Sequence, residues 1–317
     1  MQRVEPASAA CESTRVDRDS YRVCLVRPAM GTLVSVVAVH PSGARAEEAI
    51  EAAFAEMDRL IGLLSRHDAA SPLAHLNGTG WLNDPPPELA MVLGQSLRYH
   101  QWTGGAFDVT VKPLVDLFEA SAGTPTPAER AEVAELVGAE HVEMSRRRIS
   151  LKRSGMGITL DGIAKGYIVD QMAEAMTRRG VLSFLVNAGG DIRASGHKED
   201  GCPWTVGVRD PSNPNAFSDV VSLTDGAVAS SGNYEKDYEH LFATTRDGAN
   251  PGNVCVRAES AMAADALATA LFVMPPDVGR RLAGSTPGCE YLVVDGQGDS
   301  VSSPGWTSAR DQVVEHA

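Results

Sequence analysis

An α+β architecture of mixed sheets with flanking helices is what this sequence predicts, and three observations carry it. Helical periodicity dominates the first half of the chain, strand-like runs dominate the second, and glycine and proline punctuate those runs as in hairpins rather than as in regular strand–helix–strand units. With 317 residues, 43% of them hydrophobic, the chain can bury a sizeable core in one large domain or in two closely packed ones. No internal repeat or low-complexity linker divides it, so the folded unit is taken as 21–317 behind a polar N-terminal arm over 1–20.

Folded structure is expected from Tyr21. Val23 to Val39 is rich in β-branched residues and broken by Pro28, Gly31 and Thr32, which predicts two strand pieces around a tight turn at Met30-Gly31-Thr32. From Ala44 to Arg66, Ala49, Ile50, Ala53, Phe54, Met57, Ile61 and Leu64 recur at helical spacing, with Ser42 as the cap. Pro85-Pro86-Pro87 opens a second helix running to about Gln101 and closed by Gly104-Gly105. Thr126, Pro127 and Glu129 spell a capping box for a shorter helix that ends near Gly138. Strands are expected at Ile149–Leu151, Ser183–Val186, Trp204–Arg209, Val220–Leu223, Val254–Ala258 and Glu290–Val294. Two helices interrupt them, Ile163 to Arg179 with a basic last turn and a capping Gly180, and Ala261 to Met274 stopped by Pro275-Pro276.

Charge and motif content exclude several classes of function. A net charge of −13 and a pI near 5.1 argue against a general binder of nucleic acid or anionic membrane, because both need basic surface. A phosphate-bearing ligand therefore has to be held by local groups. The five cysteines are scattered without a C-x-x-C pair and read as reduced thiols. Met1 to Arg22 lacks the apolar core of a signal peptide and no 18-residue apolar run follows, so a soluble cytoplasmic protein is expected. A phosphate-binding G-x-x-x-x-G-K-[ST] loop, a strand-linked G-x-G-x-x-G, a G-x-S-x-G elbow and an H-E-x-x-H helix are all absent, which disfavours kinases, dinucleotide dehydrogenases, α/β-hydrolases and zincins.

Some segments carry chemistry. Asp265 and Thr269 stand four apart on an otherwise apolar helix, so both oxygens share a face, as two ligands of a hard cation would. The alternative is a helix-interior aspartate paired to an arginine, with Thr269 bonded back to a backbone carbonyl. Lys165 in Asp161-Gly162-Ile163-Ala164-Lys165-Gly166 sits in a helix first turn, against the macrodipole preference, which suggests an anionic partner; a packed stem with a wet ammonium explains it equally well. Asn187-Ala188-Gly189-Gly190-Asp191 permits close backbone approach or makes a tight turn. Phe107-Asp108-Val109-Thr110 supplies an acceptor and a hydroxyl, and Ser230 to Tyr234 with His240 adds a group able to move a proton near neutral pH.

In order, these segments resemble the FAD:protein FMN transferase family, also called ApbE-type flavin transferases. The resemblance rests on Met30-Gly31-Thr32, Ser65 to Asn77, Gly105 to Val115, Leu160 to Tyr167, Asn187 to Ile192, Ser230 to Tyr234 and Asp265 to Met274, and so spans about 28–275. It implies a T-fold-like α+β domain with an FAD cleft between its two halves and a magnesium site beside it. By that analogy Asp265, Thr269 and the Gly162 carbonyl hold the magnesium and Lys165 faces the nucleotide. Met30, Leu73, Asn77 and Asp108 line the FAD pocket, and His67 takes the place of an aromatic that stacks on the flavin. His240 is the implied general base, but the Asp-Pro that usually follows the family's histidine is here replaced within His240-Leu241-Phe242-Ala243-Thr244. The implied reaction cuts the FAD pyrophosphate, attaches FMN to a Ser or Thr hydroxyl of a partner protein and releases AMP. Hydrolysis of FAD, transfer to a small-molecule acceptor, and flavin binding without catalysis are the other readings.

Overall fold

The computed structural model describes residues 11–17, 19–213, 215–232 and 251–310. Among them a nine-stranded sheet forms the backbone of the molecule. Its strands, in spatial order, are β1 (Cys11–Arg15), β2 (Tyr21–Ala29), β3 (Thr32–His40), β7 (Ser183–Ala188), β8 (Asp191–Ser195), β11 (Gly226–Gly232), β12 (Pro251–Ala258), β13 (Glu290–Asp295) and β14 (Ser300–Ser302). Every pairing in it is antiparallel. Three helices, α1 (Gly43–Leu64), α6 (Ala164–Arg178) and α7 (Ala261–Val273), pack together along one face. The hairpin of β9 (Trp204–Arg209) and β10 (Phe217–Leu223) contributes Trp204, Val206, Val208, Val221 and Leu223 to a second core against Ile192, Val228 and Leu292 of the large sheet.

Sequence alternation explains these layers. Val23 and Leu25 of β2 and Val34, Val36 and Ala38 of β3 are buried every second residue, and their face meets Ala49, Ile50, Ala53, Phe54 and Met57 of α1. The β2–β3 turn holds Met30 at φ 52° and Gly31 at φ 73°, the left-handed pair that a two-residue antiparallel hairpin requires. Ser42 caps α1 through the Arg45 amide, and Thr126 and Glu129 form the expected box at α5 (Pro127–Ala134). A small sheet of β4 (Trp81–Asn83), β6 (Arg148–Leu151) and β5 (Val142–Ser145) flanks the helices, together with α2 (Pro72–Thr79), α3 (Pro87–Trp102), α4 (Lys112–Ala120) and α8 (Pro276–Gly284).

The α+β expectation is met. One boundary differs: regular structure starts before Tyr21, because β1 pairs with β2 from Cys11↔Leu25 to Arg15↔Tyr21 within the span expected to be a loose arm. A strand made of Cys, Glu, Ser, Thr and Arg has no apolar alternation, and its register is set by the neighbouring strand rather than by its own pattern. No helix among the described residues is long and apolar enough to cross a membrane.

Candidate active site

A cleft of about 1170 Å³ opens where the sheet's turns face α6 and α7. That is at the large end of small-molecule sites, which run to ~1,000 Å³. One rim is backbone-rich: Met30 and Gly31 of the β2–β3 turn, Gly189 of the β7–β8 turn, and Ser231 and Gly232 at the end of β11. Arg66, His67, Phe107 and Asp108 also line the cleft, and Gly162, Lys165 and Thr269 supply a polar wall.

Two helices position that wall, and they clasp each other reciprocally. From α7, the buried Asp265 accepts the Gly166 amide of α6 at 3.0 Å. From α6, Asp170 accepts the amides of Ala261 and Met262, at 2.8 and 2.9 Å, in the first turn of α7. An anion at that helix end satisfies donors that the helix itself leaves free. The helices approach so closely that a Cβ on Gly166 would lie 2.3 Å from the Ala261 carbonyl oxygen. Burial pushes the Asp170 carboxyl above its ordinary value, against the pull of the two amides. Replacing Asp170 by Ala strands both amides, and we expect it to lower unfolding free energy by about 2 kcal/mol, measured by urea denaturation.

At the polar wall, Lys165 Nζ is 2.8 Å from Asp191 Oδ2. Burial alone would lower the lysine's pKa, but the carboxylates of Asp191 and Asp265 outweigh it and hold the ammonium above the usual lysine range. Asp265 moves strongly upward, first because it is buried and then because Asp191 repels its charged form; Lys165 and the Gly166 amide offset only part of this. A further cation facing this carboxyl would favour its charged form. Thr269 projects from the next turn of α7, and its hydroxyl lies so near Gly162 that a Cβ there would sit 2.9 Å from Oγ1. Asp265 and Thr269 thus stand one turn apart on α7, with Thr269 against Gly162, and a carboxylate, a hydroxyl and a backbone carbonyl are a hard-oxygen donor set that fits magnesium. The described residues contain no cluster of three or more His, Cys, Asp or Glu that would hold a metal by themselves. A cation here therefore leaves positions for water and for ligand phosphates, as magnesium usually does.

Elsewhere on the cleft, Asp108 Oδ1 accepts both the amide and the hydroxyl of Thr110, at 2.7 and 2.6 Å, and Oδ2 lies 3.3 Å from His100 Nδ1. Its side chain is fixed before any ligand arrives. Arg66 is also held, 2.9 Å from Asp161 and 3.0 Å from Glu119, on the edge next to exposed His67.

Of the residues singled out from sequence, Met30, His67, Asp108, Gly162, Lys165 and Thr269 line the cleft, and Asp265 is 5% exposed behind Gly166. Leu73 and Asn77 are not on the wall. Leu73 is fully buried in the main core, and Asn77 spends its amide on the Ile158 backbone, donating to the carbonyl at 2.9 Å and accepting the amide at 2.6 Å. Both lie on α2, a helix that sequence periodicity had not marked, so their direction could not be read. His240 lies outside the described residues. Asp170 and the grip of Asp191 on Lys165 were missed; the signals were an aspartate on the face of α6 and one closing a two-glycine turn.

Comparison with known proteins places this geometry in context. The family model described as "ApbE family" matches residues 30–293. A FAD:protein FMN transferase of Vibrio cholerae is 30% identical over 87% of this chain and 86% of its own length. The Haemophilus influenzae protein of the same name is 27% identical, covering 90% of this chain and 89% of its own length. Among solved structures, the flavin transferase ApbE from Vibrio cholerae superposes with a TM-score of 0.77 at 25% identity, over 90% of this chain and 98% of that one. The ApbE protein of Thermotoga maritima gives 0.78 at 27% identity, over 93% and 100%.

Proposed function

The chain belongs to the ApbE family, and from that membership we propose that it is a FAD:protein FMN transferase. In this reading FAD occupies the cleft with its pyrophosphate against the polar wall. A Ser or Thr hydroxyl of a partner protein attacks the FMN-side phosphorus. The new O–P bond joins FMN to the partner as a phosphoester, the bond to the bridging oxygen breaks, and AMP leaves with that oxygen.

One observation carries the reading: Lys165 and Thr269 line one cleft large enough for a dinucleotide, and the Asp265 carboxyl, one turn before Thr269 on α7, is buried just behind that lining against the Gly166 amide. Lys165 would offset the charge of the pyrophosphate, which an acidic chain otherwise repels. Asp265, Thr269 and the Gly162 carbonyl would hold magnesium, which when bound supplies the charge that polarises the phosphoryl oxygens. Met30, Phe107 and His67 offer apolar and ring surface for the flavin, and the prefixed Asp108 offers an acceptor for the nucleotide. His240 is the proposed acceptor of the attacking hydroxyl's proton. Loss of the usual Asp-Pro beyond it favours, as a second reading, release of free FMN by water.

Fluorescence titration tests the ligand. FAD is expected to bind far more tightly than riboflavin, since only FAD brings a pyrophosphate to Lys165, and equal affinity would refute this placement. Lys165→Met keeps the stem's packing and removes the charge, so FAD affinity should fall roughly tenfold or more, together with a lower melting temperature because the buried Asp191 carboxylate loses its cation. A fall in melting temperature with affinity intact would make the lysine structural.

A further inference from the structure

Asp191 is the least exposed carboxylate near the cleft, 1% exposed, and its environment is unusual. The Lys165 ammonium lies 2.8 Å from its Oδ2, and no group among the described residues gives that oxygen a well-directed hydrogen bond. A buried carboxylate with so little compensation is a poor way to stabilise a fold, because burial costs both charges their hydration. Its location is nevertheless tightly specified. Asn187 Oδ1 accepts the Gly190 amide at 3.0 Å across the β7–β8 turn, which runs through Gly189 at φ 67° and Gly190 at φ 108°. A Cβ on Gly189 would lie 2.5 Å from Thr32 Oγ1, so the turn is wedged against the cleft rim. Immediately after it, Asp191 begins β8 with its carboxylate beneath the polar wall.

Lys165, by contrast, is a long flexible chain with a half-buried ammonium. We propose that Asp191 is a positioning residue: it fixes the Lys165 ammonium at the wall of the cleft so that the charge is already aimed where the substrate's pyrophosphate is cut. The consequence for catalysis rests on the proposed transferase reading; the grip on the lysine does not. Asp191 itself carries the wrong sign for binding pyrophosphate, so its value lies in geometry. Removing its charge while keeping its shape should loosen the ammonium yet relieve repulsion of the bound anion.

Three variants and three measurements test this. Asp191→Asn is expected to lower kcat for AMP release about tenfold while FAD affinity holds or tightens, and to cost nothing further when added to Lys165→Met. Separately, in protein without FAD, reductive methylation with formaldehyde and borohydride, followed by peptide mass spectrometry, reads the freedom of the lysine. Lys165 should react several-fold faster in Asp191→Asn than in the wild type, with other lysines unchanged. A kcat loss that persists in full on the Lys165→Met background, or an unchanged methylation rate, would overturn the proposal. Absence of AMP release in the wild type would instead strike the transferase reading and leave the methylation result to decide whether Asp191 holds the lysine.

Discussion

Asp265→Ala is expected to reduce AMP release from FAD by more than ~100-fold at any magnesium concentration, with the fold retained. The carboxylate is the one charged member of the proposed donor set with Thr269 and Gly162, and the described residues contain no group of three or more His, Cys, Asp or Glu that could hold the metal instead. Asp265→Asn keeps the shape and an oxygen for the Gly166 amide, so it should regain part of its activity at excess magnesium or with manganese. Stability separates this from a structural ion pair. Burial and Asp191 already disfavour the charged form of Asp265, so the neutral amide removes a cost, and metal-free Asp265→Asn should melt no lower than the metal-free wild type. If the aspartate were there to pair with Lys165, both variants would be destabilised by roughly 3–5 kcal/mol and neither would respond to magnesium. Activity and melting temperature against magnesium, for the wild type and both variants, separate the cases.

Gly166→Ala is expected to be nearly as damaging by a different route. The added methyl would meet backbone, 2.3 Å from the Ala261 oxygen and 2.8 Å from the Met262 Cα, and backbone cannot swing aside as a side chain can. The helix propensity gained, about 1 kcal/mol, does not offset overpacking of about 1–3 kcal/mol or more. Relief requires α6 and α7 to separate, which moves Lys165 away from Asp265 and Thr269 together. A displacement near 1 Å can cost ~100-fold in rate. Urea denaturation and AMP release should both fall; if both stay at wild-type levels, the clasp between the helices does not set the site.

Sequence legibility followed the range of the interactions. Local features were readable: the Thr126–Glu129 capping box, the Ser42 cap and the alternation in β2 and β3 each arise from residues a few positions apart. The same-face relation of Asp265 and Thr269 is likewise fixed by helical geometry alone. Short elements were not readable, since α2, α4 and α8 span eight or nine residues and begin at or beside proline, too short for periodicity to register. Leu73 and Asn77 were assigned to the pocket by the family resemblance alone, and the fold buries Leu73 in the core and ties Asn77 to the Ile158 backbone. The pairing of Lys165 with Asp191 and of Asp170 with the start of α7 depends on which strands and helices become neighbours, and no local pattern encodes that distance. Glycine carried a readable hint all the same. Gly166 and Gly189 both occupy points where no Cβ fits, and both fell in segments picked out by sequence.

The most direct test of the central proposal is to incubate the protein with FAD, magnesium and a protein extract as the source of acceptors. AMP is then quantified by chromatography, and flavin fluorescence is followed on denaturing gels. The expected result is AMP matched by fluorescent protein bands, with both lost on adding EDTA or in Asp265→Ala. Intact FAD recovered from a saturated cleft, with no AMP and no labelled band, would contradict it.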